Sequence, residues 1–361
     1  MQPLHEPTDN QDMPTRTLRP ANPTVNGTAP AALVPMQEAG DRPVGPKCLV
    51  VMYHYVHDQF FGADAIPHLG KGVRGLSVSE FETQLDLLTS QLEPVDWVTL
   101  SGGIRGKTSL PARSFFLTFD DGLREHAEIV LPILERRGLK GTFFVPGCVL
   151  SKPKMLSAHL VHLLLEALGE NRLVDEVKNT LAGTAANLEL SDTEEAQALK
   201  VYHYESAQLA RLKFLLTMKL PLTTRASLIH RLFERHVGPQ QEWTTRWYLN
   251  TEHIRELHAR GHTIGGHSFG HEPYGRLDAA TLERDIGRSA WALQNILGAG
   301  ERPFAYPFGS VHTKSAEFLG AAGFVRAFGT ASTWVVPKSP SMNLPRIDTI
   351  RVEAELQEAM T

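Results

Sequence analysis

The sequence predicts an α/β protein, a single parallel barrel interrupted by a helical insertion. Three observations carry that expectation. Strand-like and helix-like segments alternate over residues 47–150 and again over 251–361, a pattern that builds a parallel sheet or barrel with helices outside. Between them, residues 151–250 are rich in Ala, Leu, Glu and Gln and show no strand pattern. Polar residues suited to chemistry also fall just after the strand-like runs, where barrels of this class carry their sites.

The elements follow in order. Residues 1–46 hold nine of the 23 prolines and no periodicity, and read as a disordered leader. Cys48-Leu-Val-Val-Met-Tyr-His is a buried-strand pattern, so order begins at Lys47. Ser77-x-x-Glu80 is a capping box opening a helix through Leu92, with Phe81, Leu85 and Leu88 on one face. Trp97-Val-Thr-Leu100 reads as a short strand, 114–119 as a strand, 123–137 as a helix ended by Gly138, and 141–146 as a strand. In the helical block, Ser191-x-x-Glu194 is a second capping box. After Thr251, a suitable N-cap, the pattern gives helix 252–260, strand 262–266, helix 279–297, strand 303–306, helix 313–322 and strand 324–328, with an extended piece near 345–351.

Composition narrows the function. A 42% hydrophobic content supports a substantial core, and a net charge of −4 argues against a nucleic-acid or membrane surface. No apolar run reaches the roughly 18–20 residues of a membrane helix. No charged segment followed by an apolar one opens the chain, so a cytoplasmic location is expected. Cys48 and Cys148 make no disulfide framework and read as buried thiols. Neither G-x-G-x-x-G nor G-x-x-x-x-G-K-[ST] occurs, which disfavours a nucleotide-cofactor enzyme.

Two motifs bear the chemistry. Thr118-Phe-Asp-Asp-Gly122 puts adjacent carboxylates at the end of an apolar run, and Gly122 lets the chain turn tightly after them. His267-Ser-Phe-Gly-His271 follows a second strand-like run with two imidazoles four positions apart. An Asp pair also suits a helix N-cap, and such histidines also occur as surface or core residues. Both sets at strand ends favour a metal held by one carboxylate and two imidazoles, with a spare carboxylate beside it. His54, in Met52-Tyr-His-Tyr-Val56, and the Tyr306-Pro-Phe-Gly309 turn fall at the same level.

Phe119-Asp-Asp-Gly122, His267-Ser-Phe-Gly-His271 and Tyr306-Pro-Phe-Gly309, in that order, resemble the successive motifs of the polysaccharide deacetylase family (carbohydrate esterase family 4). The resemblance spans roughly residues 47–148 and 251–350 and implies a distorted (β/α)7-8 barrel that removes N-acetyl groups from amino sugars with a divalent metal. By position it implies Asp121, His267 and His271 as metal ligands and Asp120 as catalytic base. It also implies that the turn of Tyr306, Pro307 and Phe308 offers a backbone N–H to the oxyanion. Zinc is the expected ion, although the donor set also accepts cobalt, nickel, manganese or iron.

The chain departs from that pattern in places. Arg302 sits too early to match the arginine that holds the base, and no late Leu-x-His supplies a general acid. A first-strand Tyr-His element resembles a branch that includes enzymes acting on poly-N-acetylglucosamine, in which this histidine is the acid. His54 therefore takes that role, with His57 as the weaker alternative. Arg346 and Asp348 are placed to orient a catalytic partner or to form a surface ion pair. Arg124 reads as a solvated helix residue, and His159, His162, His203, His230 and His236 form no metal pattern and receive no role.

The expected function is metal-dependent hydrolysis of an N-acyl group, N-acetyl first, on an amino sugar or related glycoside. In the cytoplasm a nucleotide- or lipid-linked sugar suits better than a long polymer. Deformylation or another non-peptide C–N hydrolysis is the second reading, and a non-catalytic glycan- or partner-binding barrel the third. An insertion after Gly147 emerges at the catalytic rim, where it shapes substrate choice or forms a subunit interface.

Overall fold

The structure is a computed structural model and describes residues 45–58, 75–151, 154–182, 189–202 and 205–358. The expected leader, but for its last two residues, and His203 lie outside these.

Seven strands form one curled parallel sheet: β1 (Lys47–Tyr53), β3 (Arg113–Phe119), β4 (Gly141–Val145), β5 (Thr263–Gly266), β6 (Arg302–Ala305), β7 (Phe324–Phe328) and β8 (Ile347–Asp348). Their order is β7-β6-β5-β4-β3-β1-β8, and the two-residue β2 (Glu93–Pro94) pairs with β3. With helices packed outside, this is a distorted (β/α) barrel, as the alternation of elements predicts.

Strand alternation divides the interior. Leu49, Val51 and Tyr53 of β1, with Phe115, Leu117 and Phe119 of β3, join the large core under the helices. Cys48, Val50 and Phe116 point the other way and meet Phe144 and Phe328 in a smaller cluster. Thr118 and Asp120 continue the parity of Phe116, so the acid at the end of β3 rises over that second cluster.

Register brings the strand ends level. Tyr53 pairs with Phe119, Phe119 with Phe143, Val145 with Gly266, Gly266 with Phe304, and Ala305 with Phe328. His54, Asp120, His267 and Tyr306 each come one residue after the last residue of a strand. Gly265 permits the tight fit of β5: a Cβ there would lie 2.6 Å from the Phe144 ring.

Most helices match the sequence pattern. α1 (Val78–Gln91) opens on the Ser77–Glu80 capping box and buries Phe81, Leu85 and Leu88. The Trp97 run is instead helix α2 (Trp97–Ile104). Its aromatic and β-branched residues suggest a strand, but Asp96 accepts a hydrogen bond from Thr99 N at 2.8 Å and caps a helix. The segment expected as one helix over 123–137 begins with a π-turn, His126–Val130, before α3 (Leu131–Arg136). Pro132 has no N–H for the α-helical ladder, which accounts for the irregular start.

Helices, joined by short non-helical links, make up most of the long insertion where it is described. A short α4 (Gly147–Ser151) leads to α5 (Ser157–Leu181), broken at Gly169, then α6 (Asp192–Val201), α7 (Ala207–Phe214), α8 (Leu222–His236) and α9 (Gln240–Trp247). α5 and α8 pack together and bury Leu160, Leu163, Leu164, Leu228 and Leu232. The chain returns by Leu249 N to Gly122 O at 2.8 Å and Arg124 N to Trp247 O at 2.9 Å. Those two bonds pin the end of the insertion to the turn after the acid pair.

The second half restores the alternation. α10 (Thr251–Ala259) is capped by Asn250, one residue before the expected Thr251, because Asn250 Oδ1 accepts from His253 N at 2.9 Å. α11 (Ala279–Leu297) and α12 (Ser315–Ala321) flank the last strands. Only Ile347–Asp348 of the extended piece near 345–351 is strand, and a 3-10 turn and α13 (Val352–Glu358) follow. Among the described residues, no helix is long and apolar enough to cross a membrane.

Candidate active site

At the C-terminal rim of the sheet, Asp121, His267 and His271 form a buried cluster whose donor atoms all lie within 4.8 Å of one another. Asp121 Oδ1 is 3.0 Å from His271 Nε2 and 3.3 Å from His267 Nε2. That oxygen is buried and has no hydrogen-bond partner among the described residues. His267 donates from Nδ1 to Ala305 O at 2.8 Å, which leaves its Nε2 lone pair free to face the carboxylate. A buried, unsatisfied carboxylate oxygen facing two imidazole nitrogens fits a divalent cation, since each atom needs a partner there.

The backbone is bent to make this cluster. Four non-glycine residues have positive φ among the described residues: Asp121 (73°), Ser268 (60°), His271 (56°) and Phe308 (58°). All four lie in the three motif turns. A left-handed residue other than glycine is costly, so the surroundings must enforce it. Asp285 does so in the histidine turn, accepting from Phe269 N and Gly270 N at 2.8 Å each and from Tyr274 OH at 2.9 Å. Gly122 carries φ +63°, and a Cβ there would come 2.9 Å from Val145, so the turn after the acids requires glycine.

Asp120 stands beside the cluster, its Oδ2 3.9 Å from His267 Nε2. Arg346 grips it with two prongs, Nη1 to Oδ1 at 2.7 Å and Nη2 to Oδ2 at 2.8 Å. Arg346 is itself buried and donates from Nε to Gly329 O at 2.9 Å. Burial alone would raise the Asp120 pKa, but the Arg346 guanidinium and His267 outweigh it and hold the carboxyl below the usual range. Asp121 is held well below that range against its own burial, chiefly by His271.

The remaining expected residues are distributed around this centre. His54 is half-buried, follows the strand residue paired with Phe119, and interacts electrostatically with Asp120. Its carbonyl pairs with His126 Nε2 at 2.9 Å. His57 is tied to buried Glu125 at 3.1 Å. Asp348 caps the 3-10 turn through Ile350 N at 3.1 Å and makes no bond to Asp120. Arg302 donates to Gly298 O and Gly300 O, away from the acid pair. Arg124 pairs with Glu128 at 2.6 Å.

In the Tyr306 turn most N–H groups are taken. Tyr306 donates to Phe328 O, Gly309 to Tyr306 O and Ser310 to Pro307 O, while Pro307 has no N–H. Phe308 N–H remains, and the Phe308 ring lies 5.1 Å from that of His271. Cys48 and Cys148 are buried free thiols whose burial pushes both pKa values up to about 12, which rules them out as nucleophiles at neutral pH.

Sequence reasoning missed His159. This wholly buried side chain on α5 reaches Asp121 Oδ2 at 3.1 Å. Its trace in the sequence is a histidine within a largely apolar helical run that also holds His162, which marks buried polar residues in need of partners.

The fold agrees with comparisons to known proteins. The family model described as polysaccharide deacetylase matches residues 107–161 and 229–327, two segments that flank most of the helical insertion. Over those segments the chain is similar to the polysaccharide deacetylase family.

Three solved structures share the fold. IcaB from Ammonifex degensii superposes with a TM-score of 0.52 at 18% identity, covering 88% of this chain and 98% of that one. The de-N-acetylase from Aggregatibacter actinomycetemcomitans gives 0.51 at 15% identity, covering 86% and 99%. The Streptococcus pyogenes deacetylase PplD, in complex with acetate, gives 0.51 at 14% identity, covering 87% and 98%. No curated protein matches the sequence.

Proposed function

We propose that the protein is a metal-dependent amidohydrolase that removes an N-acyl group, N-acetyl first, from an amino sugar. One observation carries this reading: an ionised carboxylate, Asp120, is held by Arg346 beside a buried Asp121–His267–His271 cluster that fits a divalent cation. A site that only bound metal or glycan would have no use for a second carboxylate so held. The match of residues 107–161 and 229–327 to the polysaccharide deacetylase model and the shared fold of the named deacetylases support the same reaction class.

Asp121, His267 and His271 would hold the ion, with zinc the best match to two imidazoles and a carboxylate, and cobalt, nickel, manganese or iron also suited. A bound ion supplies Lewis acidity toward an acyl oxygen and toward water. The chain's own groups do the rest. Asp120 takes the proton of the water that attacks the amide carbon. Arg346 fixes the direction of both Asp120 oxygens and keeps the carboxylate ionised. Phe308 N–H is the donor left in its turn for the oxyanion that develops. His54, on the neighbouring strand end, gives a proton to the departing amine.

The test is to incubate metal-loaded protein with N-acetylated and N-formylated amino sugars, free, nucleotide-linked and oligomeric, and to score amine and acid by mass. Acetate with free amino sugar is the expected result. Formate alone would favour deformylation. Metal uptake with no product from any substrate would refute the hydrolase reading.

A further inference from the structure

We propose that His159 is a positioning residue for Asp121, through which the helical insertion dictates the carboxylate oxygen presented to the ion. The inference rests on the metal reading above and adds to it a residue outside the three motifs.

The hydrogen bonds around His159 define its tautomer. Nδ1 lies 3.2 Å from Trp247 Nε1 and 2.7 Å from Tyr248 OH. An indole N–H only donates, so Nδ1 is the acceptor. The Tyr248 oxygen already receives Leu156 N–H at 2.9 Å, so its own proton is free to point at Nδ1 as well. A neutral imidazole that accepts at Nδ1 carries its proton at Nε2. Nε2 therefore donates to Asp121 Oδ2 across 3.1 Å.

This bond makes the two oxygens of Asp121 unequal. Oδ2 is engaged by His159. Oδ1 has no hydrogen bond among the described residues and is the oxygen that faces His267 and His271. A carboxylate with both oxygens free can rotate and chelate a cation through the pair. One clamped at Oδ2 presents Oδ1 alone. Asp121 lies in a left-handed turn (φ 73°), outside any helix or strand that would fix its direction, so the clamp supplies that constraint.

Every group in the clamp comes from the insertion or its exit. His159 and Leu156 stand at the start of α5, Trp247 ends α9, and Tyr248 follows it. α5, of which the family model matches only residues 157–161, thus reaches the centre of the site through His159.

Two polar substitutions separate positioning from packing. In His159→Gln the new side chain would set its amide N–H near the place of Nε2 and keep a donor on Asp121. The shorter amide of His159→Asn keeps polarity toward Tyr248 and Trp247 but stops short of Asp121. The experiment titrates Co2+ into metal-stripped full-length wild type, His159→Gln, His159→Asn and His159→Leu, reading affinity by chelator competition and coordination from the visible absorption of the bound ion.

His159→Asn and His159→Leu are expected to lose about 10–100-fold in Co2+ affinity, with an altered spectrum as the carboxylate shifts to two-oxygen binding. His159→Gln should restore most of the affinity and the wild-type spectrum. If the leucine variant does not fold, the asparagine and glutamine pair carries the comparison. Equal affinity and equal spectra for asparagine and glutamine would overturn the role of His159. A wild type that takes up no Co2+ would instead refute the metal reading itself.

Discussion

Asp120 and Arg346 stand 226 positions apart in the chain and meet in a buried, two-pronged ion pair. Parallel pairing makes the meeting possible. Arg346 comes immediately before β8, β8 pairs with β1, and β1 pairs with β3, whose end carries Asp120. Asp120 is thus held by an arginine that immediately precedes the last strand of the chain.

Arg346→Met is expected to destabilise the fold by about 3–5 kcal/mol, because it leaves Asp120 as an unpaired buried charge. Urea denaturation measures this, and Asp120→Asn in the same chain should return part of the loss. A cost below about 1 kcal/mol, a value typical of exposed pairs, would show that solvent reaches Asp120.

Asp120→Asn and Asp121→Ala should separate two roles for adjacent carboxylates. The first keeps the ion and loses turnover by roughly 10²–10⁴-fold, as expected for removal of a general base. The second, like His267→Ala, loses the ion. Metal content by elemental analysis beside kcat checks both. Full metal content in Asp121→Ala and His267→Ala would reject the ligand assignment.

His54→Ala should slow amide hydrolysis by roughly 10²–10⁴-fold with metal retained. An aryl acetate, whose phenolate leaves without a proton, should suffer much less. Equal losses on amide and ester would show that His54 does not act on the leaving group.

His126 links stability to pH. Burial drives its pKa down to about 4, against the hydrogen bond to His54 O that favours the charged form. The folded pKa lies below the unfolded value of 6.5. The unfolded chain therefore takes up the proton first, and stability falls as pH drops from about 6.5 to about 4, by up to about 1.4 kcal/mol per pH unit. His126→Gln keeps a donor for the His54 carbonyl and removes the titration. Its unfolding free energy should vary less over that window; an unchanged slope would reject the assignment.

Much of the candidate site is legible in the chain because the proposed metal ligands and base need particular residue types at strand ends. Asp120, Asp121, His267 and His271 can be read that way, and strand register brings them together. Arg346 is legible only as a candidate, since its pairing with Asp120 depends on the order of strands in the sheet. His159 is hidden for a similar reason. Its partners Asp121, Trp247 and Tyr248 are distant in sequence, and a histidine among leucines gives no spacing signal. The α2 helix reads as a strand because Trp97, Val98 and Thr99 favour strands locally, while the deciding cap is the single residue Asp96.

The four left-handed residues at the rim carry a lesson for anyone who wants a hardier version of this protein. Glycine at Asp121, Ser268, His271 or Phe308 would relax the backbone, and a screen for thermal tolerance would be drawn to such changes. At Asp121 and His271 it would also delete a side chain of the cluster proposed to hold the ion. Durability and chemistry compete at these turns, so robustness is better sought in the outer helices than at the strand ends.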